Sequence, residues 1–324
     1  MSKLFSNKKI LIFGGSGSWG NELIKQLLQT NVKEIKSYAR NEFNQVILKR
    51  KFLDNRLKIV LGDIRDYNQV NLACKEIDII FLLSAVKHVP LAEEFPMEAI
   101  KTNILGTENV IQASIVNKVK IVIDSSSDKA CAANNLYGMT KAIGEKLILN
   151  GSNLSKETKF VAIRSGNVLG TNGSVVPLWI EQIKKCNKIT ITSKEMTRFF
   201  LTLSEAINLL FIAINSNING GLFVVNMPAC KIIDLAEVLI KYYGNKNTKV
   251  IETGIRQGEK IHEVLLSEEE AKNAYIYDKN YYVYFADERK TKLKRYPYSK
   301  FASNTKLLNK EEIELMLRQG GFIK

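Results

Sequence analysis

The sequence predicts an α/β protein: a doubly wound parallel sheet with a smaller C-terminal lobe. Three observations lead there. Short, strongly apolar runs recur through the first half of the chain. Amphipathic segments separate them. A glycine array joins the first run to the first amphipathic segment. Strands this apolar must be buried on both faces, which is the condition of a parallel sheet covered by crossover helices.

Taken in order, "KKILIFGG" at 8–15 reads as the first strand, and "GNELIKQLLQT" at 20–30 as a helix with Leu23, Ile24, Leu27 and Leu28 on one face. "VKEIKSYAR" at 32–40, "LKIVLGDI" at 57–64 and "IDIIFLLSA" at 77–85 supply strands two to four. A helix at 100–117 precedes strand five, "KIVIDSSS" at 120–127, and a long helix is expected from Leu136 through Leu149. "TKFVAIRSGNV" at 158–168 is strand six. Beyond 170 the pattern loosens. A turn at Gly173–Pro177, a helix near 177–187 and "ITIT" at 189–192 indicate a second lobe. A helix at 203–216 and a strand at 221–226 return to the first domain. The expected division is 1–170 with 201–227 in the main domain, and 171–200 with 228–324 in the lobe.

Bulk properties exclude several classes. The 324 residues are 45% hydrophobic and 25% charged, enough for a large core and too apolar for disorder. No apolar run approaches the roughly 20 residues that span a bilayer, and no secretory leader is apparent, so a cytoplasmic protein is expected. The four cysteines are scattered without a C-x-x-C, and there are two histidines, which argues against a metal site. The net charge is +14, but the lysines are dispersed and the only dense basic run is "RKTKLKR" at 289–295. No nucleic-acid motif accompanies them; a basic surface that favours phosphate-bearing ligands is expected instead.

"FGGSGSWG" sets Gly14, Gly17 and Gly20 between strand and helix. Glycine permits the tight turn and lets a pyrophosphate reach the helix N-terminus. Placed here, the array predicts a dinucleotide-binding (Rossmann) loop, with Ser16, Ser18 and Trp19 lining it. An acid at the end of strand two would bond the ribose 2′-hydroxyl of NAD. The chain has Arg40 in "YARNE", which suits a 2′-phosphate, so NADP is expected over NAD. Asp63 and Ile64 end strand three and are expected at the adenine edge; Ala85 and Lys87 follow strand four.

Tyr137 and Lys141 are four apart on a predicted helix and share a face. A neighbouring ammonium favours the phenolate, which can take a hydroxyl proton while hydride leaves for the cofactor. Asp128 and Lys129 stand at the carboxyl end of strand five, where doubly wound sheets place chemistry.

With "AVKHVP", "KTNILGTENV", "SSDKA", "NLYGMTK", "RSGNVLGTNGSVVP", "MTRF" and "GIRQGEKIHE" in order between residues 85 and 263, the chain resembles the configuration-inverting UDP-N-acetylglucosamine 4,6-dehydratases. These are extended short-chain dehydrogenase/reductases of the polysaccharide biosynthesis protein family. The resemblance implies an internal redox cycle. Tyr137 would deprotonate the sugar 4-hydroxyl as hydride moves to NADP. The 4-ketone acidifies C5, Lys129 would take that proton, and Asp128 would protonate the departing 6-hydroxyl before hydride returns to C6. Ser127 would bond substrate and Tyr137, with Ser126 the alternative. Burial, Lys141 and the cofactor charge are expected to lower the Lys129 pKa. Lys87, Asn167, Val175, Arg198, Arg256 and Glu259 are the expected contacts to UDP-N-acetylglucosamine or a close UDP-sugar. A homo-oligomer, dimer or hexamer, is implied as well.

The chain departs from the family pattern at Cys131, at Ala133 in place of a proline, and at Ser165 in place of an aromatic residue. A UDP-sugar 4-epimerase is the nearest alternative, since it shares fold, cofactor and Tyr-Lys pair. A non-catalytic NADP-binding regulator is a remote one.

Overall fold

The computed structural model describes residues 2–171, 173–289 and 291–324. Asn172, within the 164–177 stretch, and Lys290, within the basic run, lie outside the described residues.

The first half alternates strand and helix: α1 (Ser2–Phe5), β1 (Lys9–Phe13), α2 (Ser18–Leu28), β2 (Glu34–Ala39), α3 (Glu42–Phe52), β3 (Leu57–Leu61), α4 (Tyr67–Ala73) and β4 (Ile79–Leu82). Then come α5 (Val89–Glu94), α6 (Pro96–Ile100), α7 (Gly106–Val116), β5 (Ile121–Ser127), α8 (Leu136–Leu154), β6 (Lys159–Ser165) and β7 (Asn167–Val168). The remainder runs α9 (Val175–Cys186), β8 (Lys188–Ile191), β9 (Thr197–Leu201), α10 (Leu203–Asn215), β10 (Gly221–Val225), β11 (Ala229–Lys231) and α11 (Ile232–Tyr243). It ends with β12 (Lys249–Glu252), β13 (Val264–Leu266), α12 (Glu268–Ala271), β14 (Ala274–Ile276), β15 (Tyr281–Tyr284), β16 (Lys294–Arg295), β17 (Phe301–Ala302) and α13 (Lys310–Gln319).

The main sheet has ten strands in the order β16-β14-β15-β10-β6-β5-β4-β1-β2-β3. From β10 to β3 every neighbour is parallel. This is the doubly wound arrangement expected from sequence, and its order reverses between β1 and β4. Burial explains the local choices. In α2 the buried face is Leu23, Ile24 and Leu27, on the expected stripe. The strands β1 and β4 are almost wholly buried, as unbroken apolar runs require.

The structure corrects three parts of the expected organisation. The strand at 158–168 is two: β6 stays in the main sheet, and after Gly166 the chain turns so that β7 pairs with β9 in a three-stranded sheet. The helix at 100–117 contains a π turn at Lys101–Leu105 between α6 and α7. Finally, β14, β15 and β16, assigned to the lobe by sequence, extend the main sheet antiparallel from β10. The lobe has its own core, in which Trp179 of α9, Ile189 of β8, Leu235 of α11 and Ile313 of α13 pack together.

A candidate active site at the strand ends

One cleft of about 820 Å³ opens along the carboxyl ends of β1 to β6. Its floor comes from the segment that leaves each strand: Gly14 to Trp19 after β1, Arg40 after β2, Ile64 after β3, Ala85 and Lys87 after β4, Ser127 and Lys129 after β5, Asn167 after β6. The lobe supplies the facing wall through Val175 and Arg198, and the loop after β12 adds Arg256 and Glu259. Doubly wound sheets bind ligands in this crevice at the strand-order reversal.

The glycine loop is built for close approach. Gly14 has φ +84°, and a Cβ there would stand 2.9 Å from the Ser84 nitrogen. Gly17 caps α2 in an extended conformation with no side-chain cap hydrogen bond, as a helix N-terminus that takes an anion requires. Gly20 does not line the cleft. A Cβ there would lie 2.3 Å from the Gly15 oxygen, so its task is to let α2 pack onto the loop. Arg40 lines the cleft with its side chain half exposed and lies 3.8 Å from Asp63. These residues fit a nicotinamide dinucleotide, whose pyrophosphate the glycine loop would hold and whose ribose Arg40 would face.

Asp63 requires a correction. Its carboxylate is gripped by Arg65, whose Nε and Nη2 donate to Oδ2 at 2.9 and 2.6 Å. Although burial opposes it, this pairing holds Asp63 below its ordinary pKa. The carboxylate is turned to Arg65, and it is Ile64 that lines the cleft.

Tyr137 and Lys141 lie in the first two turns of α8, whose N-cap Asn135 accepts from the Gly138 nitrogen at 2.8 Å. Tyr137 reaches the cleft while its ring packs with Ala92 and Ala99. The Lys141 ammonium donates to both oxygens of Asp124 at 3.2 Å. Burial would lower the Lys141 pKa, but the charge and hydrogen bond of Asp124, with the charges of Tyr137 and Glu145, together outweigh it and the pKa is raised. Lys141 is therefore a fixed cation beside the phenol. Asp124 was legible as an anomaly: an acid inside an apolar buried strand needs a cation partner.

Asp128 and Lys129 sit in a 3₁₀ turn, Asp128–Ala130, directly after β5. Asp128 is fully buried; its Oδ1 accepts from Ser127 Oγ at 3.0 Å and from Lys129 Nζ at 2.9 Å. Oδ2 is buried without a partner among the described residues. Lys129 reaches the cleft and Asp128 stands behind it. Ser126, the alternative to Ser127, also lines the cleft, with a buried, unbonded hydroxyl among the described residues. The turn packs tightly under α8: a Cβ on Gly138 would lie 2.2 Å from the Lys129 carbonyl oxygen.

The expected direction of the Lys129 pKa is reversed. Burial would lower it, but Asp128 and Glu263 outweigh burial and raise it. Glu263 was not singled out from sequence. It is 3% exposed, with Oε1 3.8 Å from Lys129 Nζ and 3.7 Å from Arg198 Nε. Arg198 also differs from expectation. It lines the cleft, but its Nη1 and Nη2 donate to the carbonyls of Thr197, Ile261 and Lys260 at 2.8–3.0 Å. Its fork is spent on the chain, so Arg256, which is exposed, is the better placed of the two for a diphosphate.

The departures have structural partners. Cys131 Sγ lies 3.2 Å from Glu270, and Arg164 is fully bound between Glu145 and Glu270 beneath the same loop. Ser165 lines the cleft beside Asn167. Among the described residues no helix is long and apolar enough to cross a membrane.

The fold is the one found in solved nucleotide-sugar dehydratases and epimerases. The chain belongs to the polysaccharide biosynthesis protein family, whose model matches residues 10–285. UDP-glucose 4-epimerase of Rickettsia bellii (strain OSU 85-389) is 38% identical over 338 residues, covering 99% of this chain and 98% of that protein. The X-ray structure of Pen from Bacillus thuringiensis is similar with a TM-score of 0.92 at 36% identity, covering 98% of this chain and 99% of that one. DesIV, a dTDP-glucose 4,6-dehydratase from Streptomyces venezuelae with NAD and TYD bound, shares the fold, with a TM-score of 0.71 at 18% identity over 78% of this chain and 86% of that one.

Proposed function

We propose that the protein is a UDP-N-acetylglucosamine 4,6-dehydratase that inverts C5. The observation that carries this reading is Lys129, which reaches the cleft that Tyr137 enters and is bonded at 2.9 Å to the buried Asp128 behind it. A 4-epimerase has no use for an acid-base pair at this strand end.

A nicotinamide cofactor bound at the glycine loop supplies hydride transfer. Tyr137 accepts the proton of the 4-hydroxyl, with Lys141 held beside it as a fixed cation. Lys129 removes the C5 proton, which the 4-ketone has acidified. Asp128 gives a proton to the 6-hydroxyl, which leaves as water. In the resting site the proton is on Lys129. Its transfer along the bond to Asp128 Oδ1 makes a neutral amine and a neutral acid together, with no change of net charge. One short move thus prepares both the base and the acid.

The test is proton NMR of the product from UDP-N-acetylglucosamine in D₂O. A 6-deoxy methyl signal, with deuterium at C5, is expected from the wild type. Lys129→Ala is expected to abolish the C5 exchange. A C4 epimer with its CH₂OH intact would instead establish the second reading, a UDP-sugar 4-epimerase. The name of the Rickettsia bellii relative favours that reading.

The cofactor in this reading is NADP, because Arg40 lines the cleft where β2 ends and carries the cation a 2′-phosphate needs. Charge-assisted hydrogen bonds contribute about 1.5–3 kcal/mol. Arg40→Ala is therefore expected to weaken NADP binding by roughly ten- to a hundredfold and to leave NAD binding within about twofold. Calorimetric titration of both dinucleotides reads the difference. Equal losses for the two would remove Arg40 from 2′-phosphate recognition.

A further inference from the structure

Two carboxylates, not one, face Lys129. Asp128 holds its ammonium from within the 3₁₀ turn, and Glu263 approaches from the segment leading into β13. That segment is fastened over the site. Lys260 donates to the Cys131 oxygen at 2.7 Å, and Asn135 donates to the Gly258 oxygen at 2.8 Å. The Glu263 nitrogen is bonded to Ser303 Oγ at 2.9 Å, so the backbone under the carboxylate is fixed as well. Glu263 Oε1 serves Lys129 and Arg198, while Oε2 is buried with no hydrogen-bond partner among the described residues. A carboxylate this buried costs stability unless it is fully paired and hydrogen-bonded.

We propose that Glu263 is a positioning residue of the acid-base site: it holds the Lys129 ammonium as a second carboxylate beside Asp128 and sets how readily Lys129 gives up its proton. This rests on the reading of Lys129 as the C5 base. The charged groups that face Lys129 and Glu263 are Asp128, Arg198 and Lys260. Burial, then the Asp128 charge, raises the Glu263 pKa, and Arg198 offsets part of what Glu263 does to Lys129. The sign follows. Removing the Glu263 charge leaves Lys129 with one carboxylate and an opposing guanidinium, so Lys129 releases its proton at lower pH.

Glu263→Gln keeps the shape and removes the charge. The first readout needs no turnover: the rate at which an amine-reactive anhydride labels Lys129, measured on its peptide by mass spectrometry at fixed pH. An opposite charge at this range shifts a pKa by about one unit or more, so labelling is expected to rise about tenfold. Glu263→Asp, which keeps the charge on a shorter arm, is expected to give a smaller rise and decides the matter should the first variant not fold. Wild-type labelling in the folded variants overturns the proposal. The second readout is the pH dependence of C5 deuterium exchange, whose ascending limb is expected to move about one unit to lower pH in Glu263→Gln; an unmoved limb overturns the proposal. If the wild type makes no 6-deoxy product, the dehydratase reading fails, while the labelling result still decides whether Glu263 governs Lys129.

Discussion

Tyr137→Phe is expected to abolish turnover almost completely, lowering it by about 10²–10⁴-fold, the usual contribution of a positioned acid or base. The phenolic oxygen is the group in the cleft that can take the proton of a substrate hydroxyl beside the Lys141–Asp124 pair. Its loss stops the reaction at the first step, so the acid-base pair never meets a ketone. The ring itself packs with Ala92 and Ala99, and phenylalanine keeps those contacts. The variant should therefore melt with the wild type and still bind the dinucleotide. Single-turnover measurements that follow nicotinamide absorbance would reveal the defect. A variant that retains more than about a tenth of wild-type turnover would remove Tyr137 from the chemistry under either the dehydratase or the epimerase reading.

The largest effect on stability is expected at Arg164. Its guanidinium is 2% exposed and is bound by Glu145 at 2.6 and 2.9 Å and by Glu270 at 2.8 Å. It also donates to the Leu265 carbonyl at 2.9 Å. One side chain thus joins β6, α8, β13 and α12. Arg164→Met leaves the buried Glu145 and the partly buried Glu270 without their cation, and breaking such a pair costs about 3–5 kcal/mol. Urea unfolding should register a loss of this size. A midpoint within error of wild type would show that the network contributes nothing net. The same network carries a pH signature. Burial would raise the Glu270 pKa, but Arg164 brings it down to about 2 from the ordinary 4.5. A depressed carboxylate contributes stability that is present above its unfolded value and is lost as pH falls through its folded one. Wild type should therefore lose this contribution between about pH 4.5 and 2, and Arg164→Met should lack that part of the acid transition.

Much of the main sheet was legible because buried parallel strands leave a coarse signal. The runs at 8–15, 77–85 and 120–127 contain β1, β4 and β5, and their carboxyl ends fix where a cleft can form. Local geometry near one strand end was legible for the same reason: Tyr137 and Lys141 are one turn apart on one helix. The less visible parts depend on contacts distant in sequence. Glu263 meets Lys129 across 134 positions, and nothing in "GEKIHE" says which of its charges turns inward. Arg198 looked like an anion ligand because its three carbonyl partners belong to the backbone and leave no trace in residue type. The helix α3 lacks a clean apolar stripe: Gln45 and Leu48 are its buried residues, while Phe43 and Ile47 face solvent. The strands β14 to β16 are short and follow a loosely patterned stretch, so their membership of the main sheet emerged only from pairing.

The missing side chain at Gly138 has a consequence for the order of events. The helix that carries Tyr137 rests directly on the carbonyl of Lys129, with no side chain between them to act as a cushion or a hinge. The spacing between the α8 backbone at Gly138 and the turn that carries Lys129 is therefore a backbone dimension. In the proposed reaction the enzyme has no separate station for each half. A sugar oxidised at C4 would stay in the one cleft that both Tyr137 and Lys129 reach.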